Sequence, residues 1–266
     1  MPAKLLPTRF LFLIAICLVA LFLGAARAED TNPEPVSLFD GETLNGWTNQ
    51  NGDPVEEGWT VNDGLLVREG RGGAIYAEQD YENFILEFEW RIAKGGNSGV
   101  KYRVQFYEDG LWNKPGWLGY EYQIFGDKNP QPTKSSAGAL YAIYAPCDER
   151  VLREPNEFNQ SRIVVNGTHI EHWLNGIKIV DADTSTQDFR NRIKESKFNQ
   201  VDDFGQNRSG RIQIQDHGSN VAYRSITIQV LPLEADQTNE DSTRATSRRP
   251  LVDSLQSPDI LGRRRR

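Results

Sequence analysis

The groups best able to hold and transform a polar ligand fall at two-residue spacing in three separate stretches. Near the end of the chain, Arg211, Gln213, Gln215 and His217 alternate with Ile212 and Ile214. Side chains alternate faces along a strand, so one face carries a guanidinium, two amides and an imidazole while the other enters a core. Lys101 and Arg103 repeat the spacing, as do Glu121 and Gln123, each pair about 7 Å apart by strand rise. Solvent faces favour Lys, Glu and Thr, so these rows read as the floor of a polar groove if the three strands are neighbours. A carboxylate, an imidazole, a guanidinium and amides suit the hydroxyls and carbonyls of a sugar. The alternative is three unrelated, half-wet antiparallel strands. His217 ends its strand before Gly218, where its ordinary pKa near 6.5 suits proton transfer at neutral pH; otherwise it is a turn histidine bonded to backbone.

Other candidates fit this chemistry less well. Glu87 and Glu89 share a strand face at a spacing compatible with inverting glycosidases, about 6.5–9.5 Å. Arg91 continues the row, which favours a solvated charged face, and the Glu-x-Asp-x-x-Glu pattern of sandwich glucanases is absent. Trp112 and Trp117 lie in a loop rich in Gly and Pro, with Tyr120 nearby. Such rings either stack on sugar faces or plug the loop. His169 and His172 fall on opposite faces of one strand, so they cannot form a paired metal site, and His172 joins Ile170 and Leu174 on the apolar side. Phosphate-loop, zincin, EF-hand and Gly-x-Ser-x-Gly patterns are missing. Asp216, Asp127 and Glu121 could offer oxygen ligands to a divalent metal, but no cofactor and no metal is indicated.

The elements that must position these groups are short strands. Residues 59–67 form a hairpin around Asn62, Asp63 and Gly64. Residues 84–92 alternate cleanly, with Phe84, Leu86, Phe88, Trp90 and Ile92 facing a core. A loop at 95–99 precedes a strand at 100–106, in which Lys101, Arg103 and Gln105 oppose Val100, Tyr102, Val104 and Phe106. Further strands are expected at 120–125 and 138–144. Residues 162–174 form a hairpin through Asn166 and Gly167, and Asn175-Gly176 passes to 177–180. Residues 184–209 read as a long polar loop with one helical turn. The stretch 210–231 reads as a hairpin whose return strand is anchored by Ile226, Ile228 and Val230. Many short strands with regular turns and no convincing amphipathic helix indicate an all-β sandwich or jelly roll of one domain.

The ends carry different signals. Lys4 and Arg9, the apolar run 10–23 and Ala26-Arg27-Ala28 predict a secretory signal peptide over 1–28, and a periplasmic or extracellular destination. The run is too short for a membrane span, so the chain is not expected to be integral to a membrane. Residues 29–35 read as a linker, 36–233 as the domain and 234–266 as a disordered polar tail ending in four arginines. Losing Lys4, Arg9 and Arg27 takes the net charge from −7 to −10, which argues against nucleic acid as a partner. Cys17 leaves with the signal, so Cys147 has no disulfide partner within the chain.

Six motifs occur in order: Leu38-Phe39-Asp40-Gly41 with Leu44, Gly46 and Trp47; Asn97-Ser98-Gly99-Val100 with Arg103; Glu121 with Gln123; Gly138-Ala139-Leu140-Tyr141; His172 with Leu174, Asn175 and Gly176; and Ile214-Gln215-Asp216-His217-Gly218. In this the chain resembles the 3-keto-disaccharide hydrolase family, over about residues 36–233. One departure is Phe158, where Trp is expected. The resemblance implies a concanavalin A-like jelly roll of two antiparallel sheets acting on glycosides already oxidised at C3. A C3 ketone acidifies the C2 proton and places the C1 oxygen β to the carbonyl, so elimination followed by hydration gives net hydrolysis. Such a site needs a base, an enolate stabiliser and an acid for the leaving oxygen. The expected roles are His217 or Glu121 as base and acid, and Arg103 or Lys101 at the enolate oxygen. Gln123, Gln215 and Asn97 would orient hydroxyls, and Trp112 and Trp117 would stack on the sugar. The rival readings are a carbohydrate-binding module without catalysis and a surface protein acting through its arginine tail.

Overall fold

The computed structural model describes residues 33–126 and 131–232. The segments predicted as a signal peptide and as a tail, and Asp127, lie outside the described residues; of the predicted linker, residues 33–35 are exposed and without regular structure. The strands run β1 (Val36–Ser37), β2 (Trp47–Thr48), β3 (Trp59–Asn62), β4 (Leu65–Arg68), β5 (Ile75–Tyr81), β6 (Phe84–Ile92) and β7 (Asn97–Tyr107). They continue as β8 (Gly116–Phe125), β9 (Asn159–Asn166), β10 (His169–Leu174), β11 (Ile177–Asp183), β12 (Gly210–Ile214) and β13 (Val221–Val230), with one helix, α1 (Gln187–Glu195), between β11 and β12. Two antiparallel sheets result. The larger has the order β11-β10-β9-β6-β13-β4-β3, with β1 also on β13, and the smaller has the order β2-β5-β12-β7-β8. This is the jelly-roll sandwich that the strand pattern and the motifs predict.

Period-two patterning builds the core. All five apolar residues named in β6 are buried. Asp63 and Gly64 adopt positive φ (50° and 75°) in the β3–β4 turn, as do Asn175 and Gly176 (48° and 84°) between β10 and β11, the geometry a two-residue hairpin needs. Between the sheets the core is aromatic and internally hydrogen-bonded. Trp90 Nε1 donates to Ser161 Oγ (2.8 Å), which donates to Tyr122 Oη (2.8 Å). His172 is fully buried. Its Nδ1 lies 3.0 Å from the Gly138 carbonyl and must donate, so Nε2 accepts from Tyr102 Oη at 2.9 Å. Burial pushes its pKa down to about 4, and His172 is a neutral core residue.

Four local expectations are corrected. Residues 210–231 do not form a hairpin: β12 lies in the smaller sheet and β13 in the larger, so residues 215–220 cross the sandwich. Ile226 and Ile228 are buried on β13, but Val230 is 43% exposed. Residues 138–144 are not a strand. Gly138 and Ala142 have positive φ (85° and 63°) and turn the chain, leaving Leu140 with single bridges to Tyr122 and Tyr144. Within 184–209 a true helix forms. Thr186 Oγ1 accepts the Phe189 N–H at 3.1 Å as its N-cap, and Asp188 pairs with Arg192 one turn on (2.7 Å).

The fourth correction concerns β7. Its register against β8 shifts between Tyr102 and Gln105, and Arg103 takes φ 51°. Such a bulge inserts one residue and re-aims those that follow. Beyond it Phe106 stands out, 48% exposed and 5.5 Å from the Trp117 ring, while Tyr107 packs on the core. The simple alternation expected over 100–106 therefore holds only to Tyr102.

Candidate active site

The outward face of the smaller sheet carries the polar row. Core-facing Val100, Tyr102, Tyr120, Tyr122, Ile124, Ile212 and Ile214 are all buried. That orientation turns Lys101, Glu121, Gln123 and Gln213 to the other side. Lys101 lies opposite Glu121 on β8 and Gln213 on β12, so the three strands are neighbours with polar faces aligned. Gln213 is buried and donates to Tyr76 Oη at 2.8 Å, closing the floor.

At one end of this face is a pocket of about 80 Å³ lined by Asn97, Lys101, Glu121, Gln123, Gln215 and His217. Two groups not singled out in the sequence complete it: Tyr141, and Lys197 from the 3-10 turn Lys197–Gln200 after α1. Glu121 is 6% exposed, with Oε2 3.9 Å from Lys101 Nζ. Burial raises the Glu121 pKa above the carboxylate range despite the opposing charges of Lys101, Lys197 and His217. Burial likewise lowers the Lys101 pKa, against the pull of Glu121. Lys197 is lowered by burial too, and its ammonium sits 4.5 Å from the Tyr141 ring centroid. An acid and a base brought towards each other in pKa, in one recess, are equipped for proton transfer.

The surroundings hold this geometry. Gly99 leaves room for the carboxylate, because a Cβ there would sit 2.5 Å from Glu121 Oε1 and displace it. Gln123 Nε2 donates to Asn97 Oδ1 at 2.9 Å. Ser98 Oγ donates to the Gln215 carbonyl (2.8 Å), the Gln215 N–H to the Gly99 carbonyl (2.9 Å) and the Asn97 N–H to Ser219 Oγ (3.0 Å). These bonds tie the crossing loop to β7 and set His217, itself exposed, at the rim. Gln215 Oε1 is buried without a hydrogen-bond partner, an acceptor left for a ligand donor. Asp216 faces away from any such role: Arg68 Nε (2.7 Å) and the N–H groups of Gly73 (3.2 Å) and Gly218 (2.9 Å) occupy it.

Three predicted residues lie outside the pocket. Arg103, re-aimed by the bulge, is 5% exposed and donates through Nη2 to the carbonyls of Glu82 (3.2 Å) and Gly167 (2.7 Å), at a different edge of the sandwich. It cannot serve this site. Trp117 lies on the same outward face but packs with Tyr76, Phe106 and Arg211, at 5.5, 5.5 and 5.4 Å, as a shelf outside the pocket lining. Trp112 is 67% exposed at φ 57°, its N–H bonded to Gln200 Oε1 (2.7 Å) and its ring 6.0 Å from Lys197 Nζ. Glu87 and Glu89 are on the larger sheet, paired with Arg162 (3.9 Å) and Arg224 (2.8 Å). Among the described residues, His169, Glu171 and Asp181 form a surface cluster whose two carboxylates already hold the Lys178 ammonium.

Tyr141 stood in a motif but carried no catalytic signal of its own. Lys197 lay in the segment read as a loop, where only the capping Ser196 and the following Phe198 hinted at an ordered turn.

Known proteins agree with this architecture. The chain is 29% identical over 228 residues to a 3-keto-disaccharide hydrolase of Bacteroides thetaiotaomicron, covering 74% of this chain and 78% of that protein. It is similar to a solved structure from Parabacteroides distasonis described as a candidate glycosyl hydrolase, with 30% identity, a TM-score of 0.66 and coverage of 74% and 94% of the two chains. A second such structure from that organism matches at 25% identity and a TM-score of 0.57, covering 75% and 100%. A family model described as the 3-keto-alpha-glucoside-1,2-lyase-like domain matches residues 34–229, and the chain belongs to that family.

Proposed function

We propose that this chain is a carbohydrate-active enzyme that cleaves the glycosidic bond of a 3-keto-glycoside by elimination and hydration. The observation that carries the reading is the lone carboxylate. Among the described residues, Glu121 is the one acidic side chain lining the pocket, and it is buried against two lysines. Hydrolysis of an unoxidised glycoside uses two carboxyls across the scissile bond. Elimination next to a ketone needs one base and a positive field for the enolate.

In this scheme the Glu121 carboxylate takes the C2 proton, and the C2–H electron pair enters the C3 carbonyl as an enolate. Lys101, 3.9 Å from Glu121, and Lys197 supply the positive charge that stabilises the enolate oxygen. The enolate then forms the C1–C2 double bond and expels the C1 oxygen, which takes a proton from His217 at the rim. Water adds at C1 and a proton returns to C2, giving net hydrolysis. Gln123, Gln215 and Asn97 orient the hydroxyls. The reacting edge of the ring would enter this recess. The leaving portion would lie on the open face towards Trp117.

Turnover of a chromogenic 3-keto-glucoside beside its unoxidised parent tests the proposal. Cleavage of the keto sugar alone, with solvent deuterium appearing at C2, supports it. Cleavage of both substrates, or sugar binding without cleavage, refutes it. The same reading has the chain exported and cut after Ala28, which N-terminal sequencing of the exported protein would test.

A further inference from the structure

The residue that failed as a catalytic group marks a second site. Arg103 forms part of a cleft of about 710 Å³ between α1, the 203–208 loop and the β9–β10 turn. Its guanidinium is buried and both of its hydrogen-bond acceptors are neutral carbonyls; the Glu82 carboxylate offsets part of its charge but is itself paired with Arg208 at 3.1 Å. Nε is buried and has no hydrogen-bond partner. Capping two turn carbonyls needs Nη2 alone, so that role accounts for one corner of the fork. An isolated buried cation is costly unless paired, and burial does lower the Arg103 pKa.

The rim of the cleft has the same sign. Arg190 donates to neutral oxygens, the Ser185 carbonyl and Gln187 Oε1. Lys194 has no ion pair among the described residues, while Arg208 is offset by Glu82 at 3.1 Å. Asp203 is the one carboxylate in the lining. The chain as a whole is acidic, at −7, so this concentration of cations runs against its average. Thr184 adds a hydroxyl to the lining, while the hydroxyls of Ser185 and Thr168 are turned to the neighbouring Asp183 carboxylate.

From this geometry we infer that the cleft is an anion-binding site, taking a small oxyanion, either free or carried on a sugar, with Arg103 as its deepest contact. The guanidinium fork matches a carboxylate, sulfate or phosphate. The two cavities share Phe198 as a wall, so the site lies directly behind the 3-10 turn that carries Lys197.

Calorimetric titration of the full chain at low ionic strength tests this, using inorganic phosphate, sulfate, glucuronate and, as a neutral control, glucose. Binding of one or more anions but not of glucose is expected. Tighter binding of glucuronate would identify a sugar acid, and tighter binding of phosphate or sulfate a free oxyanion. Arg103→Gln should abolish binding. Because that variant disturbs a buried contact, the exposed double variant Arg190→Gln, Lys194→Gln provides a second test and should weaken binding about tenfold. Lys101→Met, in the other pocket, should leave the titration unchanged. No heat with any anion overturns the inference. So does binding that survives Arg103→Gln, or that is lost in Lys101→Met but kept in the rim double variant.

Discussion

Replacing Glu121 by Gln separates catalysis from stability, and the structure gives both signs. Gln keeps the shape and an acceptor near Lys101 but cannot take a proton. General base catalysis is worth about 10²–10⁴-fold, so kcat/KM on a 3-keto-glucoside should fall by that factor, about 2.7–5.5 kcal/mol of transition-state stabilisation. The stability change should go the other way. The folded-state pKa of Glu121 is raised because burial outweighs the attraction of Lys101, Lys197 and His217. A carboxyl raised in this way adds stability below its unfolded value, near 4.5, and that contribution is lost as pH rises through the folded value. At neutral pH the ionised side chain is therefore a net cost, which Gln removes. The variant should melt no lower than wild type at pH 7, and its advantage should shrink on going to pH 4. Paired melting curves and initial rates check this. Activity within about threefold of wild type, or a lower melting temperature at pH 7, would refute the assignment of Glu121 as a buried, poised base.

Other consequences follow from the same geometry. The pH profile of kcat/KM should be bell-shaped, with an acid limb displaced upward from 4.5 because Glu121 must ionise and an alkaline limb set by loss of the protons that His217 and Lys101 must carry, the Lys101 pKa being lowered from 10.5 by burial; a flat profile between pH 4 and 10 would contradict it. Gly99→Ala puts a Cβ 2.5 Å from Glu121 Oε1. It should lower kcat more than tenfold while costing about 1–3 kcal/mol of stability, read by kinetics and denaturant titration. Lys197→Met removes the ammonium that lies over the Tyr141 and Phe198 rings, at 4.5 and 5.3 Å, but keeps an unbranched side chain, and should reduce kcat with an unchanged circular dichroism spectrum. Asp216→Ala strands the nearly buried Arg68 and should cost about 3–5 kcal/mol. Burial works to raise the Asp216 pKa, but the Gly218 N–H and Arg68 prevail and hold it low. Its contribution is therefore present above 3.8 and lost as pH falls below that value, which acid titration of the wild-type fold would show.

What the sequence disclosed depended on how regularly each segment repeats. β6 and the turns at Asp63-Gly64 and Asn175-Gly176 were legible because a period of two and a positive-φ dipeptide are local signals. Arg103 misled because nothing in its neighbours marks a bulge. The residue types around it alternate as a plain strand would, and the single inserted position is visible only in the register against β8. α1 was missed for a different reason. Its inward side is little more than Phe189, buried, and Ile193, partly so, and two apolar residues do not make a stripe. Lys197 was hidden with it. The crossing of 215–220 between the sheets was equally silent, since Ile214 and Ile226 satisfy a core equally well from one sheet or from two.

The division between what was legible and what was not follows a division within the site. Lys101 and Glu121 stand on paired strands, where register fixes them to within a fraction of a side chain and Gly99 leaves room for one carboxylate position. Burial moves the pKa values of both, as it does that of Lys197, and a pKa set by desolvation demands a closed environment, which the paired strands supply for Lys101 and Glu121. His217 and Lys197 stand on connections, the first on the crossing loop and the second on a short turn after α1. Groups that meet a departing aglycone or admit a bulky sugar gain from such placement, because loops can accommodate what strands cannot. On this reading the base is built into the sheet and the leaving-group side is built into loops. Substrate range within the family should then vary through residues 184–209 and 215–220, while the chemistry at Lys101 and Glu121 stays the same.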